Sequence, residues 1–127
     1  MLSFIKSRWQ SIQYAIQGLK HPLQTEPNTW VHTGICIAVL ALGLWLSITP
    51  LEWAVILLTM AVVWAAEFFN TALETALDLL HPQSHPKVKI AKDVSAAAVL
   101  ITAFFSVLIG LLILAPPLWE KVNGWFF

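Results

Sequence analysis

The sequence predicts an all-α membrane protein, with an N-terminal amphipathic helix at the interface followed by three transmembrane helices. Three observations lead there. Of 127 residues, 58% are hydrophobic and 11% charged, where soluble domains average about 45–50% and about 25%. Mean hydropathy is +0.75, so lipid must stand in for the missing polar surface. Three near-continuous apolar segments also reach the roughly 20 residues that a helix needs to cross hydrocarbon.

The first element covers about residues 2–20. Ile5, Trp9, Ile12, Ile16 and Leu19 recur at helical spacing in one stripe, with Lys6, Arg8, Gln10, Gln13 and Gln17 elsewhere around the helix. That pattern suits either a helix lying in the membrane interface or one packed on the bundle by the same stripe. The opening MLSFIKSRWQ lacks the apolar core of a secretory signal. Spans follow at about 30–49, ended by Pro50, at about 53–80, ended before HPQSHP, and at about 94–114, closed by APP. A tight turn around TPLE joins the first two. No repeat or linker interrupts the chain, so residues 1–127 read as a single membrane-embedded domain.

Charge sets the orientation. Lys6, Arg8 and Lys20 precede the first span, and Lys87, Lys89 and Lys92 lie between the second and third. By the positive-inside rule the N-terminus and the 81–93 loop face the cytoplasm, with the C-terminus outside a multi-pass cytoplasmic membrane protein. Trp30, Trp45, Trp53, Trp119 and Trp125 sit near span ends, as an aromatic belt would. Seven basic and seven acidic residues balance, which gives no reason to expect a nucleic-acid partner. The single cysteine, Cys36, excludes an internal disulfide and reads as a small hydrophobe.

One stretch breaks the apolar pattern. EFFNTALETALD carries Glu67, Asn70, Glu74 and Asp78. At about 100° per residue, Glu74 and Asp78 fall about 20° to either side of Glu67 and Asn70 about 60° away, so all four share a face. An ionised carboxylate in mid-membrane costs about 2.5–3.5 kcal/mol or more, so such a face needs a partner helix, a wet cavity or a cation. A structural clasp needs one acid, whereas three stacked toward the cytoplasm call for a cation among them. Magnesium accepts one or two carboxylates while phosphates fill its other positions, which suits a Mg-nucleotide with Lys92 against phosphate. A carboxylate left over can act as general base toward an alcohol. No glycine-rich phosphate loop is present, so a nucleotide site must be built from helix faces. The alternative is a small cation- or proton-coupled transporter using the acidic ladder as a relay.

Glu26, Asn28 and His32 gather at the start of the first span, where Pro27 suits a first helical position and makes Glu26 a candidate cap. Lys92 and Asp93 open the third span, with Asp93 a candidate N-cap. His81 and His85 occupy a proline-punctuated turn.

The run Glu67-x-x-Asn70-Thr-Ala-x-Glu74-x-x-x-Asp78, followed by HPKVKIAKDVSAAAVLI, strongly resembles the bacterial integral-membrane lipid kinases, the diacylglycerol and undecaprenol kinases. The resemblance runs from about Phe4 to Leu114 and includes Tyr14 and Gly18 ahead of Glu26. It implies ATP- and Mg²⁺-dependent phosphorylation of a membrane lipid alcohol, diacylglycerol or undecaprenol, by a homotrimer. By position it implies Glu67 as catalytic base and Glu26 and Glu74 as the carboxylates holding Mg²⁺ on ATP. Tyr14, His85, Lys92 and Asp93 then match nucleotide contacts, with Asn70, Asp78 and Asn28 lining the site. The family's N-terminal arginine aligns with Ser7, one place before Arg8, and EPNTWVH is more similar to the undecaprenol-kinase branch.

Overall fold

The computed structural model describes residues 1–83 and 85–124, so Trp125 lies outside the described residues. Four helices follow one another: α1 (Leu2–Thr25), α2 (Pro27–Leu46), α3 (Pro50–Leu80) and α4 (Pro86–Asn123). The last three are long and apolar enough to cross a membrane.

Proline starts each of these three helices. Pro27, Pro50 and Pro86 stand at first positions, where the missing N–H is one that no helix satisfies and φ is already helical. The residue before each is pushed out of the helical region. Glu26 is accordingly extended (φ −106°, ψ 114°) and breaks α1 from α2. It holds the N-cap position of α2 without a side-chain cap bond, which leaves its carboxylate uncommitted.

The α2–α3 turn is tighter. Ser47 adopts the left-handed conformation (φ 56°) that closes α2. Thr49 and Glu52 then form a reciprocal capping box: the Glu52 N–H donates to Thr49 Oγ1 at 3.3 Å, and the Thr49 N–H donates to Glu52 Oε2 at 2.7 Å.

Helix α4 differs from the span expected at 94–114. His85 caps it, its Nδ1 accepting from the Lys87 N–H at 3.2 Å, so the helix begins well before Asp93. Asp93 is therefore no N-cap but an interior residue paired with Lys89. At the other end α4 continues through Pro116 and Pro117 instead of stopping at APP. Two backbone donors are lost there, and tertiary contacts compensate. Leu118 packs against the core cluster. Lys121 Nζ donates to the Trp45 carbonyl at 2.5 Å and sits 4.8 Å from the centre of the Trp45 ring.

The core lies at the turn end of the bundle: Leu46, Ile48, Ile56 and Leu114, with Val39, Leu42, Trp53, Met60, Ile113 and Leu118 packed around them. Helices α3 and α4 form the most extensive pair. Further along, the Trp64 indole N–H on α3 points to Cys36 Sγ on α2 at 3.4 Å, giving the indole a partner away from water. The α1 stripe stays uncovered: Ile5, Trp9, Ile12, Ile16 and Leu19 are each about half exposed.

At Gly43 the backbone of α2 lies against Trp53 of α3 and Ile48 of the turn. A Cβ there would lie 2.9 Å from Trp53 Cη2 and 3.1 Å from Ile48 Cδ1. Gly43→Ala is expected to destabilise the bundle by about 1–3 kcal/mol, the usual range for overpacking, read as a lower thermal midpoint in detergent.

Candidate active site

The antiparallel course of α2, α3 and α4 brings the start of α2, the end of α3 and the start of α4 to one end of the bundle, opposite the apolar core. The polar side chains meet there.

Glu67 is the most deeply placed of the ionisable ones, 3% exposed. Its Oε2 lies 4.0 Å from His32 Nε2 on α2. Glu74 lies two turns further along the same helix. One turn on, Thr71 donates its hydroxyl to the Glu67 carbonyl at 3.1 Å, which satisfies the buried hydroxyl without engaging the carboxylate. Asn70 Nδ2 donates to Glu74 Oε1 at 3.2 Å. Across the helix pair, the Ser95 hydroxyl donates to Asn70 Oδ1 at 2.6 Å. Toward the end of α3, Lys92 Nζ pairs with Asp78 Oδ1 at 2.5 Å. Lys89 holds Asp93 on the outer side of α4.

Among the described residues, Glu26, Glu67 and Glu74 have no Lys or Arg partner. Three carboxylates gathered without a cation repel one another strongly where water is scarce. The oxygens of Glu26 and Glu74, uncommitted to any basic group, have the hardness a divalent cation takes. Among the described residues no three such ligands converge into a closed set. A divalent ion that arrives carrying phosphate oxygens needs only one or two carboxylates from the protein.

Beside the acids runs an apolar cleft of about 370 Å³ between α2, α3 and α4. His32 stands at its polar limit, and Cys36, Met60, Val63, Leu111 and Leu114 are among its walls. A hydrocarbon chain lying there would reach the carboxylates at its head.

Of the residues singled out from sequence, Asn70 is bonded to Glu74, Lys92 pairs with Asp78, and Glu67 lies beside His32; among the described residues no hydrogen bond or ion pair ties the Glu26 carboxylate to them. Tyr14, Asn28 and His85 are exposed and, among the described residues, form no hydrogen bond to the carboxylates. His32 and Ser95 belong to the site although the family motifs do not mark them as functional. For His32 the signal was its place beside Glu26 and Asn28 at the start of the first span. Ser95 carried no signal apart from its place one turn after Lys92. Thr29, fully buried between Glu26 and His32, keeps a hydroxyl with no partner among the described residues.

Comparison with known proteins places the chain in a family. The description "Prokaryotic diacylglycerol kinase" covers the family that matches residues 13–114. The undecaprenol kinase of Bacillus subtilis is 36% identical, over 87% of this chain and 89% of its own length. The diacylglycerol kinase of Synechocystis is 38% identical, over 89% of this chain and 69% of its own. That of Helicobacter pylori strain 26695 is 30% identical, over 82% and 81%. The chain belongs to the prokaryotic diacylglycerol kinase family, a family of lipid kinases. With three membrane-length helices it is a bacterial inner-membrane protein, and the transporter reading is left without support.

The Lys92–Asp78 pair is largely exposed on the Asp78 side, and exposed pairs contribute about 0–1 kcal/mol. Asp78→Asn should therefore shift stability by less than about 1 kcal/mol, read as a nearly unchanged thermal midpoint, while leaving Lys92 free for another anion.

Proposed function

We propose that this protein is a single-domain, membrane-embedded kinase over residues 1–127 that transfers the γ-phosphoryl group of ATP to the hydroxyl of a membrane lipid, diacylglycerol or undecaprenol. The observation that carries the reading is the cluster of Glu26, Glu67 and Glu74, unpaired by any basic side chain among the described residues and set at the head of an apolar cleft.

Glu67 is the general base. Its burial keeps it from bulk water, and His32 on the neighbouring helix steadies its position. The lipid hydroxyl gives its proton to Glu67 while its oxygen forms a bond to the γ-phosphorus. The bond from that phosphorus to the β–γ bridging oxygen breaks, and ADP leaves. Glu26 and Glu74 hold Mg²⁺ on the nucleotide, and the ion supplies charge neutralisation at the phosphates. Lys92 exchanges Asp78 for a phosphate oxygen, and Asp93, Asn28 and Asn70 line the site. The lipid chain runs down the apolar cleft.

Two features support a homotrimer with shared sites. Tyr14 and His85, the expected nucleotide contacts, stand apart from the carboxylates within one chain. Most large apolar side chains are also uncovered, which leaves room for neighbouring subunits as well as lipid. The uncovered α1 stripe supports α1 as an interfacial helix. The distribution of Lys and Arg supports a cytoplasmic site and N-terminus, with the C-terminus outside.

The test is labelled-phosphate transfer from ATP in micelles, offering the two lipids in parallel. Glu67→Gln is expected to lower turnover by about 10²-fold or more, the contribution of a positioned base, with nucleotide binding intact; wild-type turnover would remove Glu67 from that role. Glu74→Gln is expected to raise the Mg²⁺ concentration needed for half-maximal activity, and an unchanged Mg²⁺ dependence would count against it as a ligand. No transfer to either lipid would overturn the reading.

A further inference from the structure

Ser95 joins the two helices at the point where the metal and phosphate groups meet. Its hydroxyl lies 2.6 Å from Asn70 Oδ1 on α3 and 2.9 Å from the Lys92 carbonyl one turn back on α4. Asn70 in turn presents Nδ2 to Glu74 Oε1 at 3.2 Å.

The direction of this chain follows from the groups themselves. An ionised carboxylate only accepts hydrogen bonds, so Glu74 requires the NH₂ end of the Asn70 amide. The oxygen end must then face α4, where it needs a donor. Ser95 is the donor on that side. Its alternative acceptor, the Lys92 carbonyl, belongs to the segment that carries the phosphate-binding lysine, so one hydroxyl contacts both halves of the site. Without it, the Asn70 oxygen loses its partner and the amide is free to rotate away from Glu74.

We infer that Ser95 is a positioning residue that acts through Asn70 to hold the Glu74 carboxylate in place for the divalent cation. The inference rests on the assignment of Glu74 to Mg²⁺ made above. Such outer partners of a metal ligand influence affinity more than turnover, because the chemistry proceeds normally once the ion is seated.

The experiment uses the full chain in micelles. Binding of Mn²⁺ as a paramagnetic probe, with a non-hydrolysable ATP analogue present, is titrated for the wild type and for Ser95→Ala, Ser95→Thr and Glu74→Gln. Activity is measured beside it against Mg²⁺. Ser95→Ala is expected to weaken Mn²⁺ binding about tenfold, toward the low end for the loss of an outer partner. The Mg²⁺ concentration for half-maximal activity should rise in step, with kcat at saturating Mg-ATP unchanged. Ser95→Thr, which keeps the hydroxyl, should restore both. Wild-type Mn²⁺ affinity in Ser95→Ala beside weakened binding in Glu74→Gln would overturn the inference and leave the kinase reading standing. A fall in kcat and thermal midpoint that Thr does not restore would also overturn it, as a purely structural role. Unchanged binding in Glu74→Gln would remove the metal assignment, and the inference with it.

Discussion

Everything at the polar end of this bundle depends on how a buried carboxylate is kept inside an apolar protein. Glu67 is 3% exposed, with Glu74 two turns further along the same helix and His32 as its one nearby group of opposite potential charge. Burying one charge is costly, and like charges beside it add to the cost unless something positive enters. A fold that only needed stability would replace these acids by apolar residues. A positive group entering beside them would offset that cost.

The local chemistry of the chain delivers those acids to one place. Proline at the first position of α2, α3 and α4 fixes where each helix begins, and the extended residue before Pro27 releases Glu26 from helical packing. The capping box of Thr49 and Glu52 makes α3 return directly beside α2. From that turn, α3 carries Glu67, Asn70, Glu74 and Asp78 back toward the start of α2. The early start of α4, capped by His85, sets Lys92 and Ser95 level with Asp78 and Asn70. A start at Asp93 would have left both outside or at the frayed first turn of the helix.

Much of this was legible in the sequence, because the signals are periodic or compositional. The three apolar segments and the shared face of Glu67, Glu74 and Asp78 follow from spacing alone, whereas Lys87, Lys89 and Lys92, expected in a loop, lie in the first turns of α4. The ends of α4 were not legible. APP reads as a stop by propensity, but Leu118 and the Lys121–Trp45 contact outweigh the lost hydrogen bonds, and such long-range contacts leave no local mark. Asp93 illustrates the same limit: its residue type suits an N-cap, yet Pro86 and His85 supply an earlier one. Ser95 was silent because a serine one turn after a lysine is an ordinary helix residue until the Asn70 amide is placed opposite it. T-x-x-E at Thr49 to Glu52 is a capping-box pattern that overlaps the turn signal of TPLE.

The two ends of the bundle are held by different forces, and the division bears on how a phosphoryl transfer could be run here. The turn end is fixed by apolar packing of Leu46, Ile48, Ile56 and Leu114, by the close approach at Gly43, and by the Lys121–Trp45 clasp. The polar end is held by exposed ion pairs and single hydrogen bonds, the kind of link worth about 1 kcal/mol each. Local opening takes its free energy from such links and leaves the packed end intact. The Lys92–Asp78 pair can therefore open at little expense, and Glu26, held by no side-chain cap bond among the described residues, can reorient without unwinding α2. Glu67, by contrast, is held by burial, 3% exposed, with His32 of α2 beside it. The side chains around the rim of the polar end are attached weakly, and the buried carboxylate is enclosed.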